Sequence, residues 1–436
     1  MGNRFSVTIL SILLSTSVHA SGWKLEVMSA KSLGRSYAGA AAGVDDASIV
    51  WLNPAAMTAL DQPWTVTAGS PVIDLSIKFR DSGSTDLLGQ PTTGSKVTEG
   101  GSVVAVPHVY AVRRMTDRVS AGFGFNTPFG LGTNYGETWS GRYHATETAL
   151  LVFNLNPSIA WKINPDLSVG FGIDVQYSEA TFGEKIDFGT IGAASGLPVQ
   201  PQQLDGSVLL EGDDWALGFD AGVLWQATAG TRIGATYRSG TTHTIRGLAD
   251  FTVPSGAEQL TAGGMLFQDT ESTTDLPMPA AASLAVAHGL NGQWTLFADA
   301  TWTEWSKFQE LRIDFANPAQ PSVVLATDWK DVWRVSIGAD YVRSERWTFR
   351  AGAADEQVPV PDATREPRIP EADHRWFTAG ATYTVSPRLE LDLFIVHLTT
   401  DRAAIAIQDP TAGTLIGDAR WNIWNAGIAA TLRIGR

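Results

Sequence analysis

The chain has 436 residues and no cysteine, which excludes disulfides, thiol nucleophiles and cysteine metal sites together. Beyond its N-terminal segment it also lacks a run of about 18 consecutive apolar residues, the length that a membrane-spanning helix requires. Charged residues are sparse at 17%, and the net charge is −14. This acidic balance argues against a nucleic-acid partner, because such proteins neutralise phosphates with lysine and arginine.

The first twenty residues have the pattern of an export signal. One positive charge in "MGNRF" is followed by the apolar stretch "SVTILSILLSTSV" and by "VHA", which ends at Ala20. A charged start, a short apolar core and a small-residue cleavage site are typical of a secretory signal peptide. We therefore predict that residues 1–20 are removed on export and that the mature chain begins near Ser21.

From about Pro63 onward, apolar and small or polar residues alternate. In "VSAGFGFNT", Phe123 and Phe125 share one face, whereas Gly122 and Gly124 share the other. The stretches "LSVGFGIDVQY" and "WRVSIGADYV" repeat this period of two. Strict alternation predicts strands with one apolar face and one small or polar face.

The connections between these strands alternate in length. Short turns such as "RMTDR" and "TAGT" alternate with long loops near 81–98, 131–146, 188–212, 252–273, 315–327, 355–372 and 405–418. An even number of antiparallel strands with short turns on one rim is typical of an outer-membrane barrel. We predict an all-β transmembrane protein over residues 63–436, an up-and-down antiparallel barrel of about fourteen strands.

Tryptophans near the predicted strand ends would form an interfacial girdle: Trp161, Trp215, Trp225, Trp294, Trp302, Trp333, Trp347 and Trp376. The competing interpretation is a secreted β-sandwich or propeller. It explains the alternation along the strands but not the alternating loop lengths. Closure of a barrel also explains how so many strands satisfy their backbone groups in lipid.

Several stretches, in order along the mature chain, resemble the FadL/TodX-type outer-membrane channels for hydrophobic compounds. They are "SAKSLGRSYAGAAAGVDDASIVWLNPAAM", "TWTEWSKFQEL", "WKDVWRVSIGADY", "WTFRAGAADEQVPVP" and "RIPEADHRWFTAGATY". The resemblance implies a passive channel in the outer membrane of a Gram-negative bacterium, taking up long-chain fatty acids or other hydrophobic molecules. It also implies a monomer, surrounded by outer-membrane lipid and lipopolysaccharide, that uses no cofactor.

In that family a small helical hatch plugs the barrel lumen, and by resemblance residues 21–62 form it here. Asn53, Pro54 and Ala55 would be its signature motif. The residues agree, because the glycine- and alanine-rich stretch 34–43 is small enough to pack inside a barrel, and Pro54 ends a short helix. The alternative is an ordinary helix that caps the barrel from outside.

A second break, "NTPFGLGTNY", falls at the end of the third predicted strand. Proline removes a ladder hydrogen bond, and glycine in a strand marks a bend or bulge. In the family a kink in this strand opens the wall sideways, so the resemblance places a lateral window at Pro128, Phe129 and Gly130. The alternative is a plain turn into the following loop.

The sequence specifies the ligand site less clearly than it specifies the barrel and the hatch. Fatty-acid members of the family bind the carboxylate with basic lumenal residues, but Glu184 and Leu325 occupy those neighbourhoods here. Lys185 and Lys330 are the nearest basic candidates, although alternation places Lys185 on the face of Tyr177, which looks lipid-facing. A neutral ligand, such as an alkane or a monoaromatic hydrocarbon, therefore stays open.

Catalysis has little support in the sequence. The stretch "SGRYHATE", which contains His144, is the best Ser/His cluster, but it lacks a third partner, and no G-x-S-x-G elbow accompanies it. We predict no enzyme activity, no catalytic residue and no metal site. Two rivals remain: a general water-filled porin, which would need no N-terminal plug, and a receptor or adhesin role for the long loops.

Overall fold

The computed structural model describes residues 22–43 and 46–435; the predicted signal peptide, residues 1–20, lies outside them. Fourteen strands account for most of the chain. Within the described residues, no helix has the length and apolar character needed to cross a bilayer.

Eight strands are continuous: β1 Trp64–Asp81, β3 Val119–Asn134, β4 Glu147–Asn164, β5 Leu167–Asp187, β6 Asp205–Thr228, β11 Trp347–Glu356, β12 His374–Ser386 and β14 Gly413–Ile434. The others are interrupted: β2 (Val97–Glu99, Val103–Ala105, His108–Arg114), β7 (Thr231–Arg238, Thr241–Thr252), β8 (Thr270–Met278, Ala281–Gly289), β9 (Trp294–Thr303, Glu310–Phe315), β10 (Val323–Ala326, Val332–Val342) and β13 (Leu389–Thr400, Ala403–Asp409). The helices are α1 Ala30–Leu33, α2 Ile49–Leu52 and α3 Phe188–Ala194, with 3-10 turns at Pro54–Ala59, Glu258–Leu260 and Trp305–Lys307.

Each strand pairs antiparallel with the next, and β14 closes the sheet onto β1. The closing ladder runs from the pair Trp64–Ile434 to the pair Asp81–Gly417. Closure leaves no sheet edge exposed to lipid at this seam, which is the requirement for strands in a bilayer. The prediction of a fourteen-stranded up-and-down barrel is confirmed.

The two rims differ as the loop lengths predicted. Short turns join β2 to β3 and every later even-numbered strand to the next one, whereas the longer loops lie on the opposite rim, which we call the long-loop rim. The prediction of a long loop over residues 405–418 is wrong. The second segment of β13 and the start of β14 occupy it and leave only a tight turn at 410–412.

The two faces of the wall have the predicted chemistry. Phe123 and Phe171 are 48% and 46% exposed on the outer face, whereas Ser120 and Asn126 are buried on the inner face. Trp376 is an exception to the predicted girdle, because it points inward and donates a hydrogen bond from Nε1 to Glu356 Oε2 at 2.7 Å. Its position near a strand end predicted a place in the girdle, but its neighbours Arg375 and Phe377 are the exposed residues.

Residues 22–62 carry α1, α2 and the turn Pro54–Ala59, and most of them are buried. The helix α1 contacts β12, β13 and β14, while the turn Pro54–Ala59 contacts β3 to β6 on another part of the wall. A segment that packs against inward faces around the ring lies within the lumen. We call residues 22–62 the hatch.

Two wall glycines show how closely the hatch is seated. A Cβ at Gly170 would overlap the backbone of Pro54 and Ala55, and a Cβ at Gly234 would overlap the carbonyl of Ala41. Glycine permits such close backbone approach. The small inward residues of the alternating strands are therefore the surface that receives the hatch.

Candidate functional site

The Asn53-Pro54-Ala55 motif ties the hatch to itself and to the wall. Asn53 Oδ1 accepts a hydrogen bond from the Ala55 N–H at 3.0 Å, which caps the 3-10 turn that Pro54 begins. Its Nδ2 donates to Ala41 O at 2.6 Å and to Val223 O, on β6, at 3.0 Å. One fully buried amide thus joins two hatch segments to a wall strand.

Buried ion pairs hold other parts of the hatch. Lys31 Nζ lies 2.8 Å from Glu390 Oε2 on β13, and Arg35 Nη1 lies 3.3 Å from Asp340 Oδ2 on β10. Burying a charge is costly unless it is paired. Removal of Glu390 or Asp340 would therefore leave a poorly compensated charge inside the barrel and destabilise the folded protein. Ion pairs with the wall therefore hold the hatch in place, in addition to its close packing.

The kink predicted in the third strand is an irregularity of β3. The β3–β4 register shifts between Asn126 and Phe129, so that one extra residue of β3 bulges out. On the other side of β3, the ladder with β2 ends at the pair Val109–Phe125. Beyond that pair, β2 stays hydrogen-bonded to β1, through Val106 N to Pro71 O at 2.9 Å. The two neighbouring strands therefore part at the kink.

The N-terminal end of the hatch occupies the edge of β3 that β2 leaves. Leu25 N donates to Pro128 O at 2.8 Å, and Gly130 N donates to Trp23 O at 2.9 Å. Lys24 and Phe129 face each other between these two bonds. We call residues 22–26 the strap; it supplies the hydrogen bonds that the parted strand edge would otherwise lack.

The strap is also anchored at its two ends. Gly22 N donates to Glu371 Oε2 at 2.8 Å, and Arg334 pairs with Glu26 Oε1 at 2.6 Å. Burial raises the pKa of the Glu371 carboxyl well above its usual value. Glu371 belongs to the loop between β11 and β12, which folds back into the barrel.

The strap's tryptophan fills an aromatic cluster. The Trp23 ring lies 5.1 Å from Trp305, 4.8 Å from Phe308 and 4.9 Å from Trp329, measured between centroids. Edge-on and tilted aromatic pairs of this kind contribute about 0.5–1.5 kcal/mol each beyond their buried area. The cluster thus holds the strap in place without any covalent link.

Three cavities that share lining residues lie between the long-loop rim and the kink. The outer groove, of about 540 Å³, opens near the rim and is lined by Phe182, Leu210, Phe251, Leu311, Phe315 and Leu325, among others. The inner cavity, of about 30 Å³, shares Phe182 and Leu311 with it and adds Trp23, Leu150, Leu276 and Trp329. The wall cavity, of about 440 Å³, shares Leu131 and Leu150 with the inner cavity.

The wall cavity reaches both sides of the barrel. Its lining includes Glu371 and Trp376, which are buried inside. It also includes Ala105 and Phe153, which lie on the outer face, because each alternates along its strand with a buried inward residue, Val106 or Val152. Pro107, Thr127 and Gly130 lie between them, where β2 and β3 part. The predicted window residues Pro128 and Phe129 are neighbours of this lining in sequence, and Phe129 is buried.

One guanidinium stands among the apolar residues of the inner cavity. Arg368, from the loop between β11 and β12, donates to Glu184 Oε2 at 2.6 Å and to Thr148 Oγ1 at 3.2 Å. Sequence reasoning did not single out this arginine, although "RIPEADHRW" was quoted for the resemblance. The four arginine and glutamate residues within "TREPRIPE" were the available signal, but nothing local indicated that the loop folds inward.

The two predicted lysines lie apart. Lys185 lines the outer groove and pairs with Glu137 Oε2 at 2.6 Å, while its neighbour Glu184 contacts Arg368 in the lumen. Lys330 is exposed and follows the aromatic cluster in sequence, outside the linings of the three cavities. Their role as carboxylate ligands stays a prediction.

The Ser/His cluster considered for catalysis packs beside the outer groove. His144 lines that groove, and burial lowers its pKa to about 4. Among residues 22–43 and 46–435, no group of three or more histidine and acidic side chains is arranged to hold a metal ion.

Comparison with known proteins agrees with this geometry. A family model described as "Outer membrane protein transport protein (OMPP1/FadL/TodX)" matches residues 11–433. The long-chain fatty acid transport protein of Salmonella typhi is 30% identical over 411 residues, which cover 90% of this chain and 91% of the relative.

Two crystal structures share the fold. A Pseudomonas aeruginosa FadL homologue superposes with a TM-score of 0.89 at 26% identity, covering 95% of this chain and all of that one. The toluene transporter TodX of P. putida gives 0.71 at 17% identity, covering 96% and 100%. The family consists of outer-membrane transport proteins, which confirms the predicted location and the prediction that the protein is not an enzyme. The chain belongs to the OMPP1/FadL/TodX family of outer-membrane transport proteins.

Proposed function

We propose that this protein is a passive channel that carries hydrophobic molecules, long-chain fatty acids first among them, from the cell exterior into the outer membrane. The observation that carries the proposal is the series of three apolar cavities from the long-loop rim to the parting of β2 and β3. The related Salmonella protein is named a long-chain fatty acid transport protein, which supports this substrate class.

Capture occurs in the outer groove, whose phenylalanines and leucines offer a long apolar surface at the rim. The inner cavity of about 30 Å³ is too small for an acyl chain while Trp23 occupies the aromatic cluster. A ligand that enters there therefore displaces Trp23. Binding and strap movement become one event, because Trp23 is adjacent to the Lys24–Phe129 bridge.

We place the rearrangement in the strap rather than in the whole hatch. The strap is the part of the hatch that borders the inner cavity, through Trp23. The buried polar contacts of Asn53, Lys31 and Arg35 hold the remainder of the hatch, and these residues do not line that cavity. Release of the strap enlarges the wall cavity, and the ligand leaves sideways at Pro128, Phe129 and Gly130. Lateral exit keeps the chain out of water, which avoids about 0.8 kcal/mol for every methylene exposed.

The competing candidate is an importer of neutral hydrocarbons. The structural likeness to the toluene transporter TodX favours it. That likeness is at 17% identity and concerns the fold. We also propose that the protein works as a monomer among outer-membrane lipid and lipopolysaccharide, since the closed barrel encloses the whole route in one chain.

Leu150→Trp is expected to block the route. Leu150 lines both the inner and the wall cavity, and a larger ring there overfills a tightly packed space. Uptake of a radiolabelled long-chain fatty acid, measured in cells that lack their own transporter, should fall about tenfold or more.

The matched control is Leu217→Trp, a change on the outer face where Leu217 is 73% exposed. Both variants are first checked for barrel assembly by the gel mobility of unheated samples. Uptake by cells carrying Leu150→Trp at the level of Leu217→Trp would refute the proposed route, and absence of uptake by the unmodified protein would refute the substrate class.

A further inference from the structure

Arg368 lines the inner cavity with a buried, positively charged side chain. This guanidinium is 5% exposed at its side chain and has two acidic neighbours. Glu184 Oε2 lies 2.6 Å from its Nη2, and Glu366 Oε2 lies 3.8 Å from its Nε. Its positive charge is thus already offset by two carboxylates before any ligand arrives.

The approach to Arg368 is negative as well. Four carboxylates line the outer groove, against two basic side chains: Glu184, Asp187, Glu366 and Asp409, against Lys185 and Arg368. Lys185 is paired with Glu137. A ligand anion moving inward from the rim therefore meets more acidic than basic groups.

A ligand carboxylate at Arg368 would be a third acid at one cation. Like charges within a few ångströms disfavour ionisation, and an ionised group in an apolar cavity requires a partner of its own. If the ligand displaced Glu184 from Arg368, that carboxylate would lose its charged partner. Burial raises the pKa of the Glu366 carboxyl above its usual value, so negative charge is already disfavoured in this loop.

We propose that the inner cavity admits its ligand in the uncharged form. A long-chain carboxylic acid binds protonated, and a long-chain alcohol of the same length binds at least as well. The neutral acid suits the site chemically, since its O–H can donate to Glu184 or Glu366 while its carbonyl accepts from Arg368. This inference rests on the proposed function and narrows its substrate class.

Several ionisable side chains surround Glu184. Arg368, Glu366 and Asp409 face it across the cavity, and His144 and Lys185 line the same groove. Of these groups, Arg368 contacts both Glu184 and Glu366. The pH dependence of ligand binding therefore reports on the charge of this cluster and of the ligand together.

The test uses the purified full chain in detergent micelles. Dibrominated octadecanoic acid and the corresponding alcohol quench nearby tryptophans, and Trp23 and Trp329 line the inner cavity. Partition of each compound into protein-free micelles is measured separately at each pH. From about pH 5.5 to pH 8.5, acid affinity is expected to weaken at least tenfold, and alcohol affinity to stay within about twofold.

Glu184→Gln and Glu366→Gln, singly, each remove one competing charge. Each should strengthen acid binding at about pH 8.5 by roughly tenfold. Glu310→Gln is the control, because Glu310 lies exposed on β9 in an ion pair with Arg312. The unmodified protein alone already tests the inference if a variant fails to fold.

Tighter binding of the acid at the higher pH would overturn the inference, because the site would then select the anion; the proposed function would stand. Binding of neither compound at any pH would overturn the proposed function itself. The two failures are therefore distinguishable.

Discussion

Cells that carry the double variant Lys24→Cys, Phe129→Cys are expected to take up long-chain fatty acid only under reducing conditions. Lys24 and Phe129 face each other in an antiparallel bridge flanked by the bonds Leu25 N to Pro128 O and Gly130 N to Trp23 O. This is the non-hydrogen-bonded type of pair, whose Cα atoms lie about 4.5 Å apart, within the range that a disulfide spans. Since the natural chain has no cysteine, the bond can form in one way within each molecule.

The oxidised form locks the strap to the kink, so uptake should fall to the level of cells without the channel. Reduction should restore it, a difference of about tenfold or more if strap release is obligatory. The chain offers a matched control in Thr85→Cys, Pro91→Cys, because this pair has the same bridge geometry in a long loop. Equal uptake by the oxidised and reduced forms of the strap variant would contradict the gating role of the strap.

Gly234→Val is expected to turn a nearly silent channel into a conducting one. A Cβ at residue 234 would overlap the carbonyl of Ala41, and the nearby hydrogen bond from Arg232 Nε to Ala42 O, 3.1 Å, depends on the same close approach. A backbone carbonyl cannot move aside as a flexible side chain can. The hatch segment around Ala41 must leave the wall, which opens a water path through the lumen.

Planar-bilayer recordings measure this effect directly, and we expect steady currents from the variant. Gly289→Val is the control, because the nearest atom to a Cβ there is the carbonyl of Gly230 at 3.8 Å. Limited proteolysis should also cut the hatch of the Gly234 variant and spare that of the control. A silent, protease-resistant Gly234→Val protein would show that the hatch is not seated as described.

Much of the barrel was predictable from the sequence, because a membrane wall has two chemically different faces. The period of two assigned Phe123 to lipid and Asn126 to the lumen, and loop lengths assigned the rims. Such assignments succeed since each depends on neighbours only one or two residues away.

The proposed ligand route was less predictable, because its polar groups come from segments that fold inward and are distant in sequence. Arg368 lies 184 residues from Glu184, and its loop has no period that would reveal its direction. Trp376 was assigned to the girdle although it faces Glu356 inside the barrel. Trp23 acquires its role only through Trp305, Phe308 and Trp329, which belong to distant strands and loops.

Photo-crosslinking of the unmodified protein in outer-membrane vesicles tests the proposed path of the ligand most directly. A long-chain fatty acid with a diazirine near the end of its chain is added from outside, activated by light, and its attachment sites are mapped by mass spectrometry. We expect attachment at Leu131 and Leu150, which line both the inner and the wall cavity, and at Val104, which lines the wall cavity on the segment of β2 that pairs with β1. Attachment along the hatch and the short-turn rim, with none at Val104, would contradict lateral exit between β2 and β3.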